Sequence, residues 1–168
     1  MPQGKNRTLQ ALETFLRKRL RTKLRHDLRL LRIVKEADVE CAAYYHIRCF
    51  LGEDPRWRVL ARKHVRVTGH YVDLLILKRT KPVIAVELKW GRRQIDRKDK
   101  KRLSGALKRL DVNKVYWLSA LSGADGPRVR TNKKPSEKYV FHQVLVTHGL
   151  TGDAFEEWKK KRKRLKNL

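Results

Sequence analysis

Two neighbouring apolar runs limit what this chain can fold into more than any other feature. His70-Tyr71-Val72-Asp73-Leu74-Leu75-Ile76-Leu77 and Pro82-Val83-Ile84-Ala85-Val86-Glu87-Leu88-Lys89-Trp90 both have strand length. Lys78-Arg79-Thr80-Lys81 connects them as a hairpin, with Pro82 at a strand start, where a missing amide is tolerated. Each run carries charge where a strand core ordinarily has none. Carboxylates and ammonium groups are seldom buried without partners, because losing hydration is costly. Asp73 in one run, with Glu87 and Lys89 in the next, therefore reads as a charged cluster on a rigid strand pair.

Side chains alternate along a strand, so Glu87 and Lys89 share a face while Val86, Leu88 and Trp90 take the other. A short hairpin brings Asp73 beside Glu87. Two adjacent carboxylates repel, and a hard divalent cation relieves the repulsion. Mg²⁺ or Mn²⁺ suits such oxygen ligands, with a backbone carbonyl such as that of Leu88, water or substrate phosphate completing the shell. A cation there polarises a phosphoryl oxygen and lowers the pKa of bound water. Lys89, on the same face, would position that water or stabilise charge in the transition state. Phosphodiester hydrolysis is the chemistry that follows.

The charge balance supplies a substrate for it. Against 43 Lys and Arg stand only 17 Asp and Glu, a formal charge of +26 on 168 residues. Nucleic acid is the expected polyanionic partner for an excess of that size. With no apolar stretch near the roughly 20 residues of a spanning helix, and no signal-peptide pattern, the expectation is a soluble intracellular protein, cytoplasmic or nucleoid, or nuclear in a eukaryote. Cys41 and Cys49 stand about 12 Å apart along one helix, too far for a disulfide, and read as small buried apolar residues.

Leu9, Leu12, Leu16, Leu20, Leu24, Leu28 and Leu31 recur at helical spacing among Arg and Lys, giving a long amphipathic helix over about 8–35. Its stripe packs on the domain or on a second copy, which makes it the candidate homodimer interface. A second helix, about 37–51, has Asp38 as N-cap, Gly52 as stop, and Glu40, Tyr44, Ile47 and Leu51 on one face. A basic strand follows over 56–67, then the hairpin. The third helix, 95–110, turns Leu103, Ala106, Leu107 and Leu110 inward. The stretches 112–121 and 139–148 read as strands around a polar loop, 122–137, and a basic helix containing 159–164 closes the chain. The resulting α/β organisation has a basic helical extension at 1–36, a core at 37–150 and a basic helix or tail at 151–168.

Asp73 followed by Glu87-Leu88-Lys89 on the next strand resembles the PD-(D/E)xK nuclease superfamily, which includes restriction endonucleases and archaeal Holliday junction resolvases. The element order over Val39–Leu121 is similar to that superfamily's αβββαβ core with a mixed central sheet. Val72 stands where the written motif has Pro. The resemblance implies a Mg²⁺-dependent or Mn²⁺-dependent endonuclease with Asp73, Glu87 and the Leu88 carbonyl on the metal. Lys89 would serve the nucleophile, and Glu40 would complete the site from the preceding helix. It favours DNA over RNA and places Gln94 where some relatives have a Gln near the substrate.

Arg92 and Arg93, directly after the site strand, are the candidates for gripping phosphates, and Lys98, Lys101 and Arg102 extend the track along the third helix. Such contacts position a backbone without reading sequence. His64, His70 and His142 read as structural or solvated. Two alternatives stay open from sequence: a non-catalytic basic module that binds DNA or RNA, and an RNA-cleaving nuclease or toxin.

Overall fold

The computed structural model describes residues 8–65, 70–92, 97–112, 114–121, 129–132 and 140–166; within these, the side chains of 63–65, 70–71, 98–99, 102, 106–107, 129–132 and 140–141 are left aside. Thr8 caps the first helix, its Oγ1 accepting from the Ala11 amide at 3.1 Å. The helix runs as α1 (Leu9–Thr14), a π-helical segment (Phe15–Arg19) and α2 (Leu20–Arg29). After α3 (Glu36–Leu51) come β1 (Trp57–Val65), β2 (His70–Lys78), β3 (Lys81–Trp90), α4 (Arg97–Leu110), β4 (Lys114–Leu121), β5 (Val129–Asn132), β6 (Val140–Thr147) and α5 (Gly152–Lys166). The strands form one mixed sheet in the order β1-β2-β3-β4-β6-β5. β1, β2 and β3 are antiparallel neighbours, β4 lies parallel to β3, β6 is parallel to β4, and β5 is antiparallel to β6. The fold is therefore α/β, with a strand in the segment read from sequence as loop.

The π-helical segment has its cause in the leucine spacing. Leu12, Leu16, Leu20, Leu24 and Leu28 recur every four residues and are all 0–1% exposed. At about 100° per residue, steps of four advance the stripe by about 40° each, or about 160° over the run. A wider i→i+5 turn takes up roughly one residue of that drift and returns the later leucines to the core. They lie in one apolar cluster with Val39, Ala43 and Ile47 of α3 and Leu74, Val86, Leu88 and Leu118 of the sheet. Each such burial contributes about 1.5–3 kcal/mol. The helix read as an extension shares the main core, and its stripe is covered within the chain rather than presented to a second copy.

The inner face of α3 is Val39, Ala43, Ile47 and Leu51: Ile47 and Leu51 belong to the expected face, while Val39 and Ala43 stand where Glu40 and Tyr44 were expected. Tyr44 is accordingly exposed, and so are Cys41 and Cys49, which overturns their reading as buried residues. The helix begins after Lys35, and Asp38 acts from inside its first turn: Oδ2 accepts from the Val34 and Lys35 amides at 2.9 and 3.0 Å. Gly52, at φ 67, ends it as expected. On the opposite side of the sheet, Leu103 of α4 packs with Leu75, Ala85, Val115, Trp117 and Leu145.

α5 is not a free tail. Trp158 is buried, its Nε1 donating to the Leu28 carbonyl at 2.8 Å, and it lies against His148, with ring centroids 4.6 Å apart. Among the described residues, no helix is long and apolar enough to cross a membrane.

Candidate active site

The site lies where β2 and β3 part. Their ladder runs from Lys78↔Lys81, slips register at Leu77↔Pro82 beside the proline, and ends at Leu74↔Val86. Asp73 occupies the next position, and its Oδ2 accepts from the Leu88 amide at 2.7 Å. A side-chain carboxylate thus replaces the strand partner at the fork, which answers the Leu88 donor and turns the carboxylate inward. On the other edge of β2, the register from Trp57 to Val65 sets Arg62 opposite Asp73, and that pair alone is missing from the ladder. Arg62 adopts φ 46, a conformation in which a non-glycine residue is rare and strained. This kink in β1 aims its guanidinium at Glu40 of α3, with Nε 3.1 Å from both carboxylate oxygens and a further bond from NH2.

Asp73, Leu88, Glu40, Arg62 and Glu36 line one pocket of about 550 Å³. Glu36, one turn ahead of Glu40, accepts from the Trp90 amide through Oε2 at 3.1 Å. It therefore ties α3 to the end of β3. From the far side, the Arg162 guanidinium of α5 stacks over the Trp90 ring at 4.6 Å and donates to the Val34 carbonyl at 3.1 Å. Glu87 and Lys89 do not line this pocket but stand beside it. Glu87 is 1% exposed, and Lys89 Nζ donates to its Oε1 at 2.7 Å.

The electrostatics follow from that crowding. Burial, and then the charge of Glu87, raise the Asp73 carboxyl from 3.8 to about 6, against the opposing pull of the Leu88 amide and Lys89. Burial by itself would lower Lys89. The hydrogen bond to Glu87 and the charges of Glu87, Asp73 and Glu36 outweigh it and hold the ammonium above its ordinary value. Lys89 is therefore a cation at neutral pH and not a base.

The sequence-derived residues divide clearly. Asp73, Leu88 and Glu40 meet at the pocket, with Glu87 and Lys89 adjacent. Arg92 and Lys101 are exposed. Arg93 and Gln94 lie outside the described residues, as do the side chains of Lys98 and Arg102. His142 is buried and stacked on Tyr116 at 4.7 Å, and burial lowers its pKa, consistent with a structural residue. His64 and His70 have no described side chain. Glu36 and Arg62 escaped the sequence reading. The four-residue step from Glu36 to Glu40 was the available signal for the first, whereas Arg62 is one cation among many in β1.

Among the described residues, no three His, Cys, Asp or Glu side chains converge as a ready-made cation cage. The donor chemistry nevertheless fits a hard divalent ion. Burial first, and then the charge of Glu87, raise Asp73 to about 6, so its ionised form is costly there and a cation would relieve it. Comparison with family models, curated proteins and solved structures finds no match for this chain.

Proposed function

We propose that the protein is a metal-dependent nuclease that hydrolyses nucleic-acid phosphodiester bonds, DNA in preference to RNA. The observation that carries this reading is Asp73 at the fork between β2 and β3, its carboxyl raised by burial and by Glu87 on the neighbouring strand. The order α3-β1-β2-β3-α4-β4 supports it further, since it has the form of the αβββαβ core of PD-(D/E)xK nucleases.

Asp73, Glu87 and the Leu88 carbonyl would hold Mg²⁺ or Mn²⁺, which would polarise a phosphoryl oxygen and supply water of lowered pKa. Lys89 remains protonated, so its part is to orient the attacking oxygen and stabilise charge on the phosphorane-like transition state. Glu40 fixes Arg62, and the guanidinium stands at the pocket rim where a phosphate would enter. Arg92 and Lys101 add positive charge outside the pocket.

A second reading, a module that binds nucleic acid without cutting it, draws on the closed Arg62–Glu40 and Lys89–Glu87 pairs, which neutralise part of the site. Incubating the protein with plasmid, branched DNA and RNA, with Mg²⁺ and with chelator, separates the two. The nuclease reading expects Mg²⁺-dependent products, most abundant with DNA. Binding to all substrates with cleavage of none selects the module, and products from RNA alone select an RNA-cleaving enzyme.

A further inference from the structure

The π-helical turn leaves a basic surface that the candidate active site does not use. Arg17, Lys18, Arg19, Arg21 and Lys23 line one recess of about 910 Å³ along the segment Phe15–Arg19 and the start of α2, with Arg17 and Arg21 half-buried and the other three cations exposed. Among the described residues, none of the five forms an ion pair. The nearby Glu13 is engaged by Lys114 of β4.

Like charges three or four residues apart destabilise a helix by about 0.2–0.5 kcal/mol per pair. Arg17 with Arg21, and Arg19 with Lys23, are such pairs. The equally basic α5 relieves its own repulsion internally, through Lys159–Glu156 at 2.7 Å and Lys161–Glu157 at 2.6 Å. Leucine packing accounts for the wide turn. Among the described residues, no ion pair offsets the cations along it.

The recess is distinct from the Asp73 pocket. Phe15 stacks on Phe50 of α3 with ring centroids 4.3 Å apart, while Glu40 lines the active-site pocket nearer the start of that helix. Those ten residues of α3 span about 15 Å. A nucleic-acid strand offers a phosphate about every 3.4 Å of duplex axis, so a cationic row about 10 Å long would face roughly three of them. The recess is lined by Thr, Arg and Lys, and the large exposed apolar residues Leu30, Tyr44, Tyr45 and Leu165 all lie outside it, which disfavours insertion into a lipid surface.

We infer that this turn is a second phosphate-binding surface, which anchors the backbone of a nucleic acid away from the site of cleavage. The inference shares with the proposed function only the premise that the partner is a nucleic acid.

Binding of a fluorescent duplex of about 20 base pairs, measured by anisotropy across a salt series with chelator present, tests it. The triple substitution Arg17→Ala/Lys18→Ala/Arg21→Ala is compared with Lys160→Ala/Lys163→Ala/Arg164→Ala, which removes the same charge from the exposed face of α5. The recess variant should lose about tenfold or more in affinity near 0.1 M salt, and its salt slope should fall by about 2–3, while the α5 variant changes only a few-fold. Equal losses in the two variants would assign the effect to net charge and overturn the inference. Duplex binding unchanged in the recess variant, with binding to anionic phospholipid vesicles lost, would overturn it too. Because chelator suppresses metal-dependent cleavage, this assay reads binding apart from catalysis; a wild type that binds through the recess here, yet gives no products in the separate Mg²⁺ incubation, refutes the nuclease reading and leaves this one standing.

Discussion

Asp73→Asn should make the metal-free protein more stable at neutral pH. The carboxyl stands at about 6 in the folded chain, against 3.8 for the ordinary group. The folded state therefore holds this proton more tightly, and stability from Asp73 is complete below about pH 3.8 and declines as pH rises to about 6. At about 1.36 kcal/mol per pKa unit, ionising Asp73 in the folded protein costs about 3 kcal/mol at neutral pH. Asparagine presents an amide oxygen to the Leu88 N–H and keeps that bond, and the charge assistance it lacks is already contained in the shifted value. The gain is therefore up to about 3 kcal/mol, or about 6–12 °C in Tm for a chain of this length. Urea and thermal unfolding with chelator, at about pH 7.5 and about pH 5, measures it; the gain should fall to about half at the lower pH, where most of the wild-type carboxyl is already protonated. A variant less stable than wild type at about pH 7.5, or an equal gain at both pH values, would refute the electrostatic account of the fork.

Other perturbations probe the surrounding structure. Lys89→Met removes the cation from a buried Glu87 and should cost on the order of 3 kcal/mol in chemical denaturation, whereas Glu87→Gln/Lys89→Met together should recover most of it. Leu20→Ala should cost about 2–5 kcal/mol, because α2 shares the main core; an unchanged unfolding midpoint would mean that the helix is a detachable appendage. Gly149→Ala should destabilise by about 1–3 kcal/mol, since φ is 65 and a Cβ would meet the Arg25 guanidinium at 2.1 Å. Gly105→Ala, inside α4 with nothing within 4 Å of the added carbon, should instead stabilise by up to about 1 kcal/mol, so the pair of melting curves should shift in opposite directions.

The parts of this fold legible in the sequence are those in which local pattern and tertiary role coincide. β2 and β3 stand out because apolar runs of strand length are bounded by turn residues, and their charged members had to be explained wherever the strands packed. α3 and α4 were visible by period. On α3, Ile47 and Leu51 were legible as one face, whereas the buried stripe is completed by Val39 and Ala43, each one position before Glu40 and Tyr44. A leucine stripe reports that a helix buries one side but not against what, so the first helix looked like an extension. β5 pairs its backbone with β6 along a short polar segment and leaves no pattern of its own. Glu36 and Arg62 became site residues only through the kink at Arg62 and the approach of α3 to the end of β3, which no local spacing encodes.

The most direct measurement of the central claim is the initial rate of Mg²⁺-dependent DNA cleavage by the wild type and by Asp73→Asn, each with its unfolding curve from the same preparation. The account predicts cleavage by the wild type that chelator abolishes, and no cleavage above background by a variant that is folded more stably. Loss of activity cannot then be ascribed to loss of structure. Cleavage retained by Asp73→Asn, or none by a folded wild type on any nucleic acid supplied with Mg²⁺ or Mn²⁺, would contradict it.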